Sequence, residues 1–202
     1  LAIWEVMTSN DWYLAQEMGA CYDWVEIRNI SDTAVNLGDY SITDDLDAPG
    51  LYGLPDRTLE PGASICIILS GDESLSTDKY AHAGFTLSVK EDRLFLYHGE
   101  TLLDHVLLRQ IPLQYSYGRS ETSGGFFYMT PTPKKANESG YRLISQMPTS
   151  DVESGVHIQN TSVDVTFSAD GAVYYTTDCT APTKSDKKYT GPITLYKTTV
   201  LR

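Results

Sequence analysis

The chain of 202 residues lacks the features that would place it in a membrane or on a nucleic acid. Its longest notable apolar run, Ile65–Leu69, is far shorter than the roughly 20 residues that a membrane-spanning helix needs. Basic residues are few, 15 against 27 acidic ones, and the net charge is -12. Because this charge repels a polyanion, we predict no nucleic-acid partner, and we predict no membrane insertion of this fragment.

Cysteine is also scarce. The three residues Cys21, Cys66 and Cys179 are an odd number, so at least one thiol stays unpaired in a monomer. No CxxC pair is present, which argues against a zinc ribbon. Cys66 lies within an apolar run and is predicted to be a small buried side chain, with a Cys21–Cys66 disulfide as the open alternative.

Sequence motifs of catalysis are missing. No serine lies in a GxSxG motif, and there is no Walker loop or GxGxxG segment. Adjacent acids on one loop, such as Asp44 and Asp45, rarely flank a glycosidic bond from two sides. The histidines fall in turns or at the ends of predicted strands, where they are expected to be exposed. They are His82, His98, His105 and His157. We predict that this chain is not an enzyme.

The sequence does contain a succession of short strand patterns. Asp23–Arg28 alternates, with Val25 and Ile27 on one face, as a half-buried strand does. A polar turn and a second run, Val35–Thr43, follow, and together they predict a hairpin-like nucleus. The continuous apolar run Ala63–Leu69 predicts a strand covered on both faces. Short strands with weak helix signals between them predict an all-β protein built from β-sandwiches.

An acidic loop follows the second run. Asp44, Asp45 and Asp47 lie within four positions, and Ca²⁺ prefers several carboxylate oxygens on a flexible loop. The EF-hand spacing fails, because its fifth position falls on Pro49 and its twelfth on Asp56. The loop therefore predicts either an irregular calcium site or, as we favour, a solvated acidic turn. The sequence suggests no other cofactor.

Aromatic residues give a second set of candidates. Tyrosine is abundant, with 14 residues, and most are expected to pack half-buried on sandwich faces. Trp12 and Tyr13 instead lie in a polar loop. Exposed aromatic rings stack on sugars or anchor protein partners, so we single out these two as candidate binding residues.

Five ordered motifs span the first 138 residues. They are IWEVMTSN at Ile3–Asn10, DWVEIRN followed by VNLGDYSITDD, LEPGASICIIL at Leu59–Leu69, Gly118–Arg119, and TPTP at Thr130–Pro133 with Asn137. In this order they resemble the lamin tail domain, an immunoglobulin-like sandwich of nuclear lamins and many secreted bacterial proteins. Lys134 stands where the family pattern has glycine, so a different last turn is expected there.

The C-terminal part carries another signature. VYYTTD, APT and YTGPITL within Val152–Arg202 resemble the small immunoglobulin-like domain at the C-terminus of chitobiases and β-hexosaminidases. This is an accessory domain, so the resemblance carries no catalytic activity. Cys179 stands where that family has glycine, which predicts a strained or modified turn. A last strand is predicted at Thr198–Arg202. The chain stops at Arg202, where this strand should continue, so an incomplete sheet edge is expected.

We therefore predict two immunoglobulin-like β-sandwiches joined by a short linker. The lamin-tail-like sandwich covers residues 1–138, the linker 139–150, and the chitobiase-like sandwich 151–202. Because the chain begins at Leu1 without a methionine or a signal peptide, we expect it to be a fragment of a longer protein.

The two resemblances imply a non-catalytic binding or spacer module of a bacterial protein that is secreted or attached to the cell surface. Its role would be adhesion or presentation through protein or glycan contacts. The alternative is a targeting or regulatory appendage of a secreted enzyme, kinase-like or glycoside-active, whose catalytic domain follows residue 202. Similar arrangements often precede a domain resembling the spore coat protein H kinase family. A lamin-like nuclear scaffold is disfavoured, because no heptad coiled coil precedes the domain. The sequence leaves the ligand, the oligomeric state and the interdomain angle undetermined.

Overall fold

The computed structural model describes residues 1–11, 20–137, 139–145, 147–157 and 162–202. The chain divides into two compact units, Leu1–Leu143 and Ile144–Arg202. Helix in the described ranges is limited to two short 3₁₀ turns, Leu37–Asp39 and Glu73–Leu75. The predicted all-β fold is thus confirmed. No helix in these ranges is long and apolar enough to cross a membrane.

The first unit is built from twelve strands in its described residues. They are β1 (Ala2–Met7), β2 (Asp23–Arg28), β3 (Val35–Asn36), β4 (Tyr40–Thr43), β5 (Tyr52–Gly53), β6 (Thr58–Leu59), β7 (Ser64–Leu69), β8 (Ala81–Ala83), β9 (Glu91–His98), β10 (Thr101–Arg109), β11 (Ser116–Arg119) and β12 (Phe126–Met129).

Two large sheets pack face to face in this unit. The six-stranded sheet has the order β12-β11-β1-β2-β7-β8, and only β7 and β8 run parallel. The four-stranded antiparallel sheet has the order β10-β9-β4-β5, while β3 pairs with β6. Ile3 and Val6 of β1 share one buried cluster with Leu94 and Leu96 of β9. Because both sheets contribute to this core, the unit is a β-sandwich.

Strand β2 is covered on both faces, so the prediction of a half-buried strand was wrong. Val25 and Ile27 enter the core between the sheets, as their alternation predicted. Trp24 and Glu26 point to the opposite face, and they are also completely buried. The segment Pro131–Asn137, which we call the closing segment, donates backbone hydrogen bonds to carboxylates on that face. The cover therefore comes from residues about a hundred positions away in sequence.

The predicted hairpin does not form. β2 pairs with β1 and β7 in the six-stranded sheet, whereas β4 pairs with β9 and β5 in the other sheet. The turn between them carries the chain from one sheet to the other. Asn29 fixes this crossover, because its buried Nδ2 donates to the carbonyl oxygens of Thr33 at 2.8 Å and Leu59 at 2.9 Å.

Strand β7 has the predicted cover on both faces. Ile67 and Leu69 belong to the core between the sheets, and Cys66 and Ile68 belong to a second buried cluster on the outer face. The other buried members of this second cluster are Met7, Trp24 and Tyr80.

The cysteines are all free thiols. Cys66 is buried, as predicted, and Cys21 is exposed, so the alternative disulfide between them is not formed. Burial raises the pKa of the Cys66 thiol, which keeps it protonated and unreactive.

The described residues of the second unit form six short strands in three antiparallel pairs. They are β13 (Thr149–Ser150) with β15 (Phe167–Ser168), β14 (Val163–Val165) with β18 (Ile193–Leu195), and β16 (Tyr174–Tyr175) with β17 (Lys187–Lys188). Residues Thr198–Arg202, predicted as the last strand, do not form one. Instead, Arg202 exchanges two backbone hydrogen bonds with Thr176, at 3.0 and 3.1 Å.

Both ends of the predicted linker 139–150 are paired with neighbouring strands. Tyr141 exchanges two backbone hydrogen bonds of 2.8 Å with Tyr128 of β12, and Thr149–Ser150 form β13. Ordered pairing in the first unit therefore continues a few residues past 138.

Both positions at which the resemblances predict glycine have left-handed backbone. Lys134 has φ 61° and Cys179 has φ 70°. A side chain in this region costs roughly 1–2 kcal/mol, because Cβ approaches the following carbonyl oxygen. The prediction of a strained turn at Cys179 is confirmed, and at Lys134 a lysine adopts the conformation that suits glycine.

Candidate functional site

The two aromatic binding candidates, Trp12 and Tyr13, lie outside the described residues. Their role in binding stays a prediction.

The acidic loop is on the surface, with Asp45 and Asp47 exposed and Asp44 partly buried. The Oδ1 of Asp45 accepts a hydrogen bond of 2.9 Å from the backbone N–H of Asp47, so this carboxylate stabilises its own turn. Partial burial and then the charges of Asp92 and Asp45 raise the pKa of Asp44. The described part of the chain holds no group of three or more metal-binding side chains. Calcium binding here stays a prediction, and it would require the loop to rearrange.

Two buried carboxylates are the feature that the sequence predictions missed. Glu5 of β1 and Glu26 of β2 are directly opposite each other in the antiparallel register, and both are completely buried. The available signal was an acid in the middle of an apolar strand, IWEVM and DWVEI. This signal is weak, because an alternating strand normally exposes such a residue.

Glu5 is held by the closing segment and by β11. Its Oε1 accepts hydrogen bonds from Ser116 Oγ at 2.5 Å and from the backbone N–H of Thr132 at 2.9 Å. The hydroxyl of Thr132 lies 3.3 Å from Oε2. Burial raises the pKa of Glu5 to about 7, and the charge of Glu26 adds to this increase, while the hydrogen bonds oppose it.

Glu26 accepts a short hydrogen bond from the backbone N–H of Lys134. Burial raises its pKa, and the bonds from Lys134 and Ser64 and the charges of Arg28 and Lys134 oppose that shift. Its Oε1 is buried without a hydrogen-bond partner among the described residues. Glu5 and Glu26 therefore anchor the closing segment to the six-stranded sheet through the backbone N–H groups of Thr132 and Lys134.

Asn137 ends the closing segment and fastens it to the sheet. Its Nδ2 donates to the carbonyl oxygens of Arg119 at 2.7 Å and Trp4 at 3.2 Å. A Cβ on Gly118 would lie 2.8 Å from this Nδ2 and 2.6 Å from Met129 Sδ. The glycine at 118 and the asparagine at 137 therefore belong to one close contact, which explains why both appear in the sequence signature.

An open groove of about 840 Å³ lies beside this contact. One wall is formed by the β11–β12 loop with Glu121 and by Phe127 of β12, and the other by Asn137 at the end of the closing segment and by Arg142 after it. Glu121 accepts hydrogen bonds from the backbone N–H of Asn137 at 3.2 Å and from Arg28 Nη1 at 2.7 Å. The groove wall is thus linked directly to the closing segment.

His82 contradicts the prediction of exposed histidines, because it is buried on β8. Burial lowers its pKa, so the ring is neutral at pH 7. Its Nδ1 lies 3.0 Å from Ser70 Oγ, but the nearby Asp72 carboxylate accepts hydrogen bonds from the backbone and hydroxyl of Ser74. None of the acids in the described residues is hydrogen-bonded to the imidazole, so the Ser–His contact lacks the arrangement of a catalytic triad there.

Comparison with protein families finds both predicted domains in the predicted order. The family model "Lamin Tail Domain" matches residues 1–107, and "Chitobiase/beta-hexosaminidase C-terminal domain" matches residues 152–202. No curated protein and no solved structure matches the chain. Both families are immunoglobulin-like domains, in agreement with the all-β fold.

Proposed function

The chain belongs to the lamin tail domain family, and from this premise we propose that it is a non-catalytic binding or spacer module of a secreted or surface-attached bacterial protein. It mediates adhesion or presentation through protein or glycan contacts. The observation that supports this role is that two buried carboxyl groups and a serine hydroxyl of the first unit are engaged in holding the chain together. Glu5 and Glu26 hold the closing segment, and the hydroxyl of Ser70 makes hydrogen bonds within its own loop.

A rigid sandwich with exposed loops suits recognition, because the sheets hold the loops in place while their sequences vary. The loop that carries Asp44, Asp45 and Asp47 also exposes Leu46 and Leu51 at its surface. Exposed leucines beside carboxylates offer both apolar contact and charge to a partner. We propose this loop as a contact surface and Trp12 and Tyr13 as a second set of contact residues.

A glycan array on the purified protein, run with and without Ca²⁺, tests this proposal. The variant Asp44→Ala/Asp45→Ala/Asp47→Ala removes the acidic loop's carboxylates. The matched control, Asp32→Ala/Glu60→Ala/Glu100→Ala, removes the same charge from exposed positions elsewhere. We expect saturable binding that needs Ca²⁺, disappears in the loop variant and persists in the control.

Two other results would change the proposal. Binding that is independent of Ca²⁺ and lost in Trp12→Ala or Tyr13→Ala would move the site to the aromatic pair. Absence of binding under both conditions would contradict the glycan contact and leave a protein-docking or spacer role.

The match of residues 152–202 to a domain of carbohydrate-active enzymes favours one alternative. In this alternative the chain is a targeting or regulatory appendage of a secreted enzyme. The parent gene distinguishes the two functions, because a kinase-like or glycoside-active domain encoded after residue 202 would support the appendage. Surface labelling of cells that produce the parent protein tests the proposed location, and a purely internal protein would contradict it.

A further inference from the structure

The hydrogen bonds around the Thr132 hydroxyl require one more proton than is present when Glu5 is ionised. The hydroxyl of Thr132 has a single hydrogen, yet it lies 3.3 Å from both Glu5 Oε2 and Asn137 Oδ1. Asn137 cannot turn its amide over, because its Nδ2 already donates to the carbonyl oxygens of Trp4 and Arg119. Both Oδ1 and Oε2 therefore face one donor.

When Glu5 is protonated, Glu5 Oε2, Thr132 Oγ1 and Asn137 Oδ1 all have a hydrogen-bond partner. Its Oε2–H donates to Thr132 Oγ1, and the Thr132 hydroxyl then donates to Asn137 Oδ1. When Glu5 is ionised, its Oε2 competes for the Thr132 hydrogen, and Asn137 Oδ1 is left buried without a donor. An unsatisfied buried polar group costs about 1–3 kcal/mol.

We propose that Glu5 is a proton-controlled latch: in its protonated form it holds the closing segment and Asn137 against the six-stranded sheet, and loss of its proton to solvent releases them. The latch operates on the groove as well, because Asn137 forms part of one groove wall and its backbone N–H donates to Glu121 in the other wall. Opening of the closing segment therefore changes the shape of the groove. The inference does not depend on glycan binding.

The surroundings of Glu5 favour the protonated form. From β2, the carboxyl of Glu26 is directly opposite. On β7, Cys66 is the register partner of Glu26, and its thiol stays protonated. The charges of Lys134 in the closing segment and Arg28 on β2 act on Glu26. Arg28 forms an ion pair with Glu121, and Arg119 of β11 forms one with Asp104.

The direction of the pH dependence follows from the pKa of Glu5. It is raised from 4.5 to about 7 in the closed state, and exposure to solvent on opening restores the lower value. A group with a raised pKa stabilises the closed state fully below its ordinary pKa, and this stabilisation is lost as the pH rises to the raised value. The open fraction therefore increases by up to about tenfold per pH unit from about pH 4.5 to about pH 7 and then levels off.

Amide hydrogen exchange measured by NMR on the full chain tests the latch. The reporters are the amides of Thr132, Lys134, Lys135 and Asn137, each of which donates a hydrogen bond in the closed segment. After correction for intrinsic exchange, we expect their protection to fall by about fortyfold between about pH 5 and about pH 7. The amides of Leu94 and Leu96 in the core serve as internal references.

The variant Glu5→Gln keeps a neutral group of the same size, whose amide donates to Thr132 at every pH. Over this pH range, we expect the fall in protection of its closing segment to be at least about tenfold smaller than the fall in the wild type. The control Glu60→Gln removes an exposed carboxylate and should behave as the wild type does. Equal protection of the wild type at both pH values, or an unchanged fall in Glu5→Gln, would overturn the proposal.

If Glu5→Gln does not fold, titration of the Glu5 side-chain carboxyl by carbon NMR in the wild type decides the question. A midpoint near 7 supports the latch. A midpoint near the ordinary value of 4.5 contradicts it.

Discussion

Single residues in this protein show how tertiary contacts override local preference. Lys134 and Cys179 both adopt left-handed backbone, although neither is a glycine. At Lys134 the backbone N–H reaches Glu26, so the strained conformation has a compensating bond. Cys179 is exposed, but its carbonyl accepts a hydrogen bond of 2.9 Å from Arg202 Nη1.

Replacing Cys179 by glycine should stabilise the second unit. We expect Cys179→Gly to raise the free energy of unfolding by about 0.5–1 kcal/mol, because glycine relieves the strain and the larger entropy of its unfolded state offsets part of that gain. Urea denaturation followed by tyrosine fluorescence measures the effect. Cys179→Ala is the control, since alanine keeps Cβ and should give no gain. A gain of the same size in Cys179→Ala would show that the thiol, and not the backbone, is unfavourable.

At the level of strands, Arg119 connects the two sheets. It lies at the end of β11 in the six-stranded sheet, and its Nη2 pairs with Asp104 of β10 at 2.6 Å. The same guanidinium donates to the carbonyl oxygens of Ile3 at 3.1 Å and Gly124 at 3.0 Å. Asp104 also accepts a hydrogen bond from the backbone N–H of Ile3 at 2.9 Å. One planar group thus joins β1, β10 and the β11–β12 loop.

The variant Arg119→Lys should destabilise the first unit by about 1–3 kcal/mol, because an ammonium group cannot reproduce three bonds in a planar arrangement. Thermal or urea unfolding of the full chain checks this value. Arg93→Lys, at an exposed position on β9, is the matched control and should change stability by less than about 0.5 kcal/mol. If both variants are equally stable, Arg119 does not connect the sheets in the way we describe.

At the level of the whole molecule, the first unit extends beyond the residues that the family model matches. The match ends at residue 107, but β11 pairs with β1, and the closing segment covers Glu5 and Glu26. Without these later residues, β1 would be a sheet edge and two carboxylates would lose their buried donors. The folding unit on structural grounds is Leu1–Leu143.

Truncation tests this boundary. We expect the fragment 1–143 to unfold cooperatively, with dispersed NMR resonances, and the fragment 1–107 to be largely unfolded, because breaking buried interactions of this kind costs several kcal/mol. Circular dichroism and NMR on the two fragments make the comparison under identical conditions. A 1–107 fragment that unfolds cooperatively would show that β11, β12 and the closing segment are dispensable.

Much of the fold could be predicted from the sequence, and much less of the chemistry. The bounds of β2 and the buried character of β7 were clear from alternation and from a continuous apolar run, both of which are local patterns. The histidine prediction was wrong at His82, because exposure depends on neighbours that a local pattern does not show. Glu5 and Glu26 were missed for the same reason. Their burial and their position opposite each other depend on strand pairing and on the closing segment, which a local pattern does not show.

The sequence by itself determined the all-β class, the two domain families and their order, because strand periodicity and signature motifs are contained in short segments. Only the tertiary structure decided that β2 and β4 lie in different sheets, since a polar turn is compatible with a hairpin or with a crossover. It also decided that the outer face of β1 and β2 is buried at Glu5 and Glu26. That cover depends on Thr132 and Lys134 reaching acids more than a hundred residues earlier in the chain, and no local preference encodes such a contact.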